Sequence, residues 1–238
     1  MRHGGSANRA GAEFIGEVKD SSKTVRLIPF IFNSTQTYAL EFGDQYMRVI
    51  RVGAQVTETS QAITAITNAN PCVLTYSGAD NYAIGDEIYI SGIVGPIGTY
   101  LNNRNFKVAA VNTGTNAITL DYMNGTDVNS TSFGAYTSGG TIAEVYTIAT
   151  PYLEADLPLL KFVQSADVIT IVHPDYAPRE LARTGHTAWT LTTITFAPSF
   201  QKPSGITGTP GAAGAIINMY SVTAISEANG EESLRGVS

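Results

Sequence analysis

Charge is scarce in this chain. Only 14% of its 238 residues are charged, and Lys plus Arg number 14. With a formal net charge of −6 and no Lys/Arg cluster, it lacks the basic surface that a nucleic-acid-binding face requires. Arg2, His3 and Arg9 make a weakly basic start, which reads as a loose or docking arm rather than a binding patch. A single cysteine, Cys72, excludes an internal disulfide framework and any Cys-rich zinc site. In "NPCVLTY" it reads as a buried, inert thiol. No apolar run approaches the roughly 18 residues of a membrane span, and "MRHGGSANRAGAEF" has no apolar core of a secretion signal. The expectation is a protein made in a cytoplasm, so the N-x-[ST] sites at Asn33, Asn124 and Asn129 carry little meaning.

Long Ala/Glu/Lys/Leu/Arg-rich segments are also missing, while Thr, Gly, Val, Ile and Tyr are plentiful. That composition predicts an all-β fold. "VRLIPFIF" (Val25–Phe32), "TYALEF" (Thr37–Phe42) and "QYMRVIR" (Gln45–Arg51) read as strands separated by turn residues, Asn33-Ser34 and then Gly43-Asp44. Gaps this short force an antiparallel meander. The same layout returns 131 residues later: "LLKFVQ", a turn at Ser165-Ala166-Asp167, "VITIVH", a turn at Pro174-Asp175, and "RELART". At that constant offset Ser34 falls on Ser165, Leu40 on Ile171, Phe42 on His173, Asp44 on Asp175, Arg48 on Arg179 and Ile50 on Leu181. "TAWTLTTITF" (Thr187–Phe196) adds a fourth strand to the second copy, with Trp189, Leu191, Thr193 and Thr195 on one face. Repeated meanders of this kind are what propeller blades look like in sequence.

Between the copies lie six short apolar runs, "AITAIT", "CVLTY", "DEIYISGI", "NFKVAAV", "AITLDY" and "GTIAEVY", at roughly ten-residue spacing. They predict a small barrel or sandwich inserted into a loop of the blade-like region. The divisions expected are an arm over 1–16, a split blade-like domain over 17–57 and 146–198, an inserted barrel over 58–145, and a linker with a partial domain over 199–238. One short helix is predicted in "TPYLEADLPLL", with Thr150 as N-cap, Pro151 at the first helical position and Pro158 as its stop.

Chemistry has few candidates. Ser165, Asp167 and His173 offer the residue types of a hydrolytic triad, but the hairpin reading places six strand residues, about 20 Å, between Asp167 and His173. No G-x-S-x-G elbow surrounds any serine. His3, His173 and His186 lack metal-ligand spacing, although "HPDY" and "TGHT" raise the prospect of His173 and His186 meeting across strands. Asp80 with Asp86, and Asp121 with Asp127, match no calcium-loop pattern. No residue is therefore assigned a catalytic, cofactor-binding or metal role, and no cofactor is expected. The tyrosines of the insert, Tyr76, Tyr82, Tyr89, Tyr100, Tyr122 and Tyr136, leave open a sugar-stacking surface.

"KDSSKTVRLIPFIFNSTQTYALEFGDQYMRVIR" together with "IATPYLEADLPLLKFVQSADVITIVHPDYAPRELARTGHTAWTLTTITF" resembles the tail nozzle (tail stabilisation or tubular) proteins of short-tailed bacteriophages and their prophages. The resemblance spans Glu17 to Val52 and Tyr146 to Ala197. The insert, with "NYAIGDEIYISGI", "LNNRNFKV" and "GAYTSGGTIAEVY", resembles the small SH3-like β-barrel known as the first catalytic cysteine half-domain of ubiquitin-activating enzymes; Cys72 implies no ubiquitin chemistry. The resemblance implies a non-enzymatic virion component, made in the bacterial host cytoplasm. It would be part of a homo-oligomeric ring below the portal and adaptor, in contact with other tail proteins such as tail fibres, retaining DNA and passing it without sequence-specific binding. The alternative is a module of the virion that binds a host surface or glycan. "YSVTAISEANGEESL" resembles the start of a fibronectin-like domain, which leaves open a fragment or a truncated prophage gene.

Overall fold

The computed structural model describes residues 14–33, 36–78, 82–208, 211, 214 and 220–236. Arg2, His3, Arg9, Ser34 and Asp80 lie outside the described residues. The chain divides into two units, Met1–Thr193 and Ile194–Ser238.

The first unit is all-β and antiparallel, as the composition predicts. Strands β1 (Arg26–Asn33), β2 (Gln36–Gly43) and β3 (Tyr46–Arg51) form a meander. The outer edge of β3 is then covered by two pieces of chain. Strand β4 (Ala54–Gln55) pairs with Ile50 and Arg51, and the Val56 N–H donates to Val49 O. Strand β11 (Thr147–Ala149) continues along the same edge, opposite Arg48, Met47 and Tyr46. β4 and β11 are thus the two halves of one fourth strand, interrupted by an insertion. Sequence reasoning missed this strand because neither half is long enough to show alternation.

The second meander is β12 (Lys161–Ser165), β13 (Val168–His173), β14 (Tyr176–Arg183) and β15 (Trp189–Thr193). The two four-stranded layers face each other over one core. Ile28, Phe30, Leu40, Phe42, Val49, Ile169, Ile171 and Leu181 are buried there, beside Trp189. Trp189 stands edge-on to Phe30 and Tyr38, with centroids 4.8 and 5.6 Å away, a favoured aromatic geometry.

The 131-residue offset holds through the second strand of each copy, where Tyr38/Ile169, Leu40/Ile171 and Phe42/His173 are all buried. It slips by one in the third. Leu40 faces Val49, but Ile171 faces Arg179, and a bulge falls between Ile171 and His173. Arg179 therefore corresponds to Val49 on the inner face, not to Arg48, and Leu181 does not correspond to Ile50. A one-residue slip turns every later side chain to the other face. Likewise the two-residue turns are Asp44-Gln45 and Pro174-Asp175, so Asp44 and Asp175 hold different turn positions.

The insertion is a closed six-stranded barrel of β5 (Gln61–Ile66), β6 (Val73–Ser77), β7 (Glu87–Val94), β8 (Arg104–Asn112), β9 (Ala117–Asp121) and β10 (Ser138–Glu144), in the order β10-β5-β6-β9-β8-β7. It has its own core, with Leu74, Ile88, Ile90, Phe106, Leu120 and Ile142 fully buried. Closure leaves it no sheet edge to protect. A four-residue helix, α1 (Gly98–Leu101), which the sequence did not signal, follows β7.

The helix expected after Thr150 is a 3-10 turn over Glu154–Leu159. It starts later than predicted because the Asp156 carboxylate accepts the Leu153 N–H at 3.0 Å, and Pro158 lies inside it rather than ending it. In the second unit the described residues hold one bridge, Ile225 to Glu232, closing a turn with Gly230 at φ 72°. The fibronectin-like stretch, Tyr220–Leu234, lies wholly within the described residues, and that bridge is its one strand-like pairing there.

Candidate functional site: a polar cleft over a buried ionic joint

Glu41, Arg48 and Glu87 are buried charges, 4%, 0% and 3% exposed. Glu41 on β2 and Arg48 on β3 point away from the sandwich core and toward the barrel, which offers Glu87 from the start of β7. Arg48 Nε and Nη2 donate to Glu41 Oε1 at 3.1 and 2.7 Å, and Nη1 donates to Glu87 Oε2 at 2.5 Å. Nη2 also donates to the Glu17 carbonyl at 2.8 Å, so the guanidinium ties together both folds and the segment before β1. The Tyr46 hydroxyl donates to Glu41 Oε1 at 2.8 Å. Asn105 Nδ2 donates to Glu87 Oε1 at 2.7 Å and to Gln55 Oε1 at 2.5 Å.

Two carboxylates share one cation, so with both ionised the joint carries a net negative charge. Burial pushes the Glu87 carboxyl above the usual carboxylate range, and the pull of Arg48 and Asn105 does not undo it. Burial alone would lower the Arg48 value, but Glu87 and Glu41 outweigh it and hold the guanidinium charged. Burial and then Glu41 push the Tyr46 hydroxyl upward. A charged residue in each of "YALEFG", "YMRVIR" and "DEIYI" was the available signal; nothing in the sequence said that these three strands meet.

The upper side of this joint is a cleft. A cavity of about 480 Å³ is lined by Phe14, Glu17, Arg104, Asn105, Tyr122 and Asn124, among others. A second, of about 290 Å³, adjoins it; the two share Phe14, Ile15 and Asn103, and Tyr89 and Gln55 line the far part. Phe14 and Ile15, 74% and 41% exposed, lie across the middle as a strap. Asn103 takes the left-handed φ of 58° and accepts the Tyr89 hydroxyl at 3.1 Å. The Arg104 guanidinium, the Glu17 carboxylate and the Tyr122 hydroxyl have no hydrogen-bond or ionic partner among the described residues.

The candidates read from sequence do not converge. Ser165 and Asp167 sit at the β12–β13 turn, and His173 at the other end of β13, five strand residues or roughly 17 Å from Val168. His173 is buried edge-on against Tyr176. Its Nδ1 accepts the Asp175 N–H at 3.1 Å, and its buried Nε2 has no partner among the described residues. His186 is beyond the opposite end of β14, bonded through Nδ1 to the Tyr38 hydroxyl at 2.8 Å, so the two histidines do not meet. Burial, then Arg51 and Arg183, lower its proton affinity.

Asp86 caps its own turn by accepting the Ala83 N–H. Asp121 and Asp127 face each other at a bridge, where burial and then Asp127 raise the Asp121 value. Among the described residues no three His, Cys, Asp or Glu side chains gather as metal ligands. Of the tyrosines, Tyr76 and Tyr82 are buried against each other, Tyr136 bonds to Ile63 O and Gly139 O, and Tyr100 stacks on Phe133. Tyr89 and Tyr122 alone of the six line the cleft. Cys72 is fully buried, and burial raises its thiol. No described helix is long and apolar enough to cross a membrane.

Neither family models nor curated proteins give a match to this chain.

Proposed function

We propose that the chain is a non-enzymatic structural component of a short-tailed phage tail, acting by assembly into a ring with copies of itself. Adaptor, portal and tail fibres would be its neighbours, and DNA would pass without being read. The identity rests on the resemblance of the two blocks flanking the barrel. The observation that favours assembly is the side of the sandwich where β1 and β12 lie together. Both are edge strands, and the Gln164 side chain bridges them, accepting the Ile31 N–H at 3.1 Å and donating to Ile31 O at 2.8 Å. Around that brace Leu27, Ile31 and Val163 are 61%, 61% and 67% exposed. Open edges dressed with apolar side chains are association surfaces.

Light scattering with negative-stain imaging of the purified chain tests this. A ring or stable oligomer, dispersed by Leu27→Lys with Ile31→Lys, is the expected result; a monomer at tens of micromolar counts against it.

A second reading, recognition of a host-surface glycan, is favoured by the cleft: its walls present unpaired polar groups beside exposed aromatic surface, the make-up of a ligand site rather than of a packed joint.

A further inference from the structure

We infer that the cleft is a saccharide site that takes neutral pyranose units, with Arg104, Glu17 and the side-chain NH2 groups of Asn103 and Asn124 on sugar hydroxyls and Phe14 and Tyr122 against the sugar's C–H face. This deepens the recognition reading, rests on it, and is independent of whether the chain forms a ring.

The chemistry of the walls selects the class. Arg104 and the NH2 groups of Asn103 and Asn124, whose oxygens are already engaged, are donors; the Glu17 carboxylate is an acceptor only, and the Tyr122 hydroxyl is both. A ligand that answers all of them must donate and accept along its whole length, as hydroxyls do. Net charge is disfavoured in either sense, because an anion meets Glu17 and a cation meets Arg104. Guanidinium and carboxylate each place two polar atoms in one plane, the spacing that engages two groups of a ligand at once. Phe14, 74% exposed, supplies a flat apolar surface at the opening, and Tyr122 lines the wall with its ring tilted against Phe106 at 6.0 Å.

Size and shape agree. The main cavity, about 480 Å³, falls in the range of small-molecule sites. Its extension past Asn103 to Tyr89 and Gln55 makes the cleft longer than one ring needs, which fits consecutive units of a chain. The floor is fixed beforehand. Asn105 is held by Glu87 and Gln55, and the Glu17 carbonyl by Arg48, so ordering that wall costs little at the moment of binding.

The test is a glycan array carrying neutral hexose oligomers and bacterial surface polysaccharides, probed with the full chain, then calorimetry on the retained sugar. Arg104→Ala and Glu17→Gln change exposed side chains. The expectation is at least a tenfold loss of affinity in Arg104→Ala with an unchanged melting temperature. For the neutral ligand, Kd should vary less than about twofold between 50 and 300 mM salt, since no net ionic attraction is screened. Retention that Arg104→Ala leaves intact would overturn the site while sparing the recognition reading. No retained sugar would overturn both. A steep loss of affinity with salt would mark a polyanion and reject the neutral class; a peptide retained where every sugar fails would reject the saccharide.

Discussion

Arg48→Met removes the one cation from a site that holds two buried carboxylates. Their side chains are 5% and 2% exposed, so water cannot take over the role of the guanidinium. Breaking a buried pair by removing one partner costs about 3–5 kcal/mol, most of it the desolvation of the stranded charge. Glu87→Gln is the contrasting change. It leaves Arg48 with Glu41, a neutral pair, and forfeits one charge-assisted hydrogen bond, because both Glu87 oxygens accept and the amide presents a donor to one of them. Relief of the buried charge offsets much of that, for a net cost of about 1 kcal/mol. The sole tryptophan, Trp189, sits in the sandwich core and reports its unfolding. With an m-value of about 2.5 kcal/mol/M, Arg48→Met lowers the urea midpoint by about 1–2 M and Glu87→Gln by about 0.4 M.

The pH dependence follows from the same site. The folded Glu87 carboxyl titrates above its unfolded value of 4.5, so between those two values the native state holds a proton that the unfolded chain lacks. Its contribution to stability is full below 4.5 and lost as pH rises through the folded value. The wild type should therefore gain stability over Glu87→Gln on mild acidification from neutral pH. Equal costs for the two variants at pH 7, or an Arg48→Met cost under about 1 kcal/mol, would refute the idea of a desolvated, net-negative joint.

Gln164→Ala removes both hydrogen bonds to Ile31 and should cost about 1 kcal/mol in urea titration while increasing self-association of the bared β1 edge. Gly95→Ala should lower the melting temperature by roughly 4–10 °C: φ is 119°, and the new Cβ would lie 2.6 Å from the Ala135 carbonyl oxygen. Replacing residues 57–145 by two glycines should leave a sandwich that still unfolds cooperatively by Trp189 fluorescence; a non-cooperative transition would show that the sandwich depends on the barrel.

Local pattern made most strands legible. All six runs of the insert and seven strands of the two meanders are read from β-branched and aromatic residues between turn residues, since a five- to nine-residue strand carries its own signal. What stayed hidden depends on residues far apart in the chain. The fourth strand of the first meander is assembled from Ala54–Val56 and Thr147–Ala149, too short to read singly. The offset placed Arg48 on Arg179, whereas the bulge after Ile171 puts them on opposite faces. The cleft was half visible: Tyr89 and Tyr122 stood among six tyrosines, but Arg104 and Glu17 are separated by 87 positions and line one cavity only because the Arg48 joint holds the segment before β1 against the barrel. His173 looked chemical because histidine is rare here; its position follows from Phe42 in the first copy, a core end of a strand.

An insertion of nearly ninety residues into one strand leaves the host sheet whole because exit and return are neighbours. The Tyr146 N–H donates to Val56 O at 2.9 Å, Thr57 bridges Val145, and the Glu58 N–H donates to Glu144 O at 2.8 Å. The barrel closes on itself before the chain rejoins β3, so its strands add no open loop for the sandwich to order. Those backbone bonds fix where the barrel attaches but not how it is turned, since both connections lie side by side on one line. The Arg48 joint adds a side-chain contact beside these connections, where Arg48 faces Thr147 and the Val145 N–H meets the Glu87 carbonyl, and reaches Glu87 from the outer face of β3. An apolar patch would have given comparable stability with less directional demand. A guanidinium held by two carboxylates and a carbonyl accepts only a narrow range of angles. Arg48 also holds the Glu17 carbonyl, so the residue that braces the barrel fixes the segment before β1 beside the cavity that Glu17 and Arg104 line.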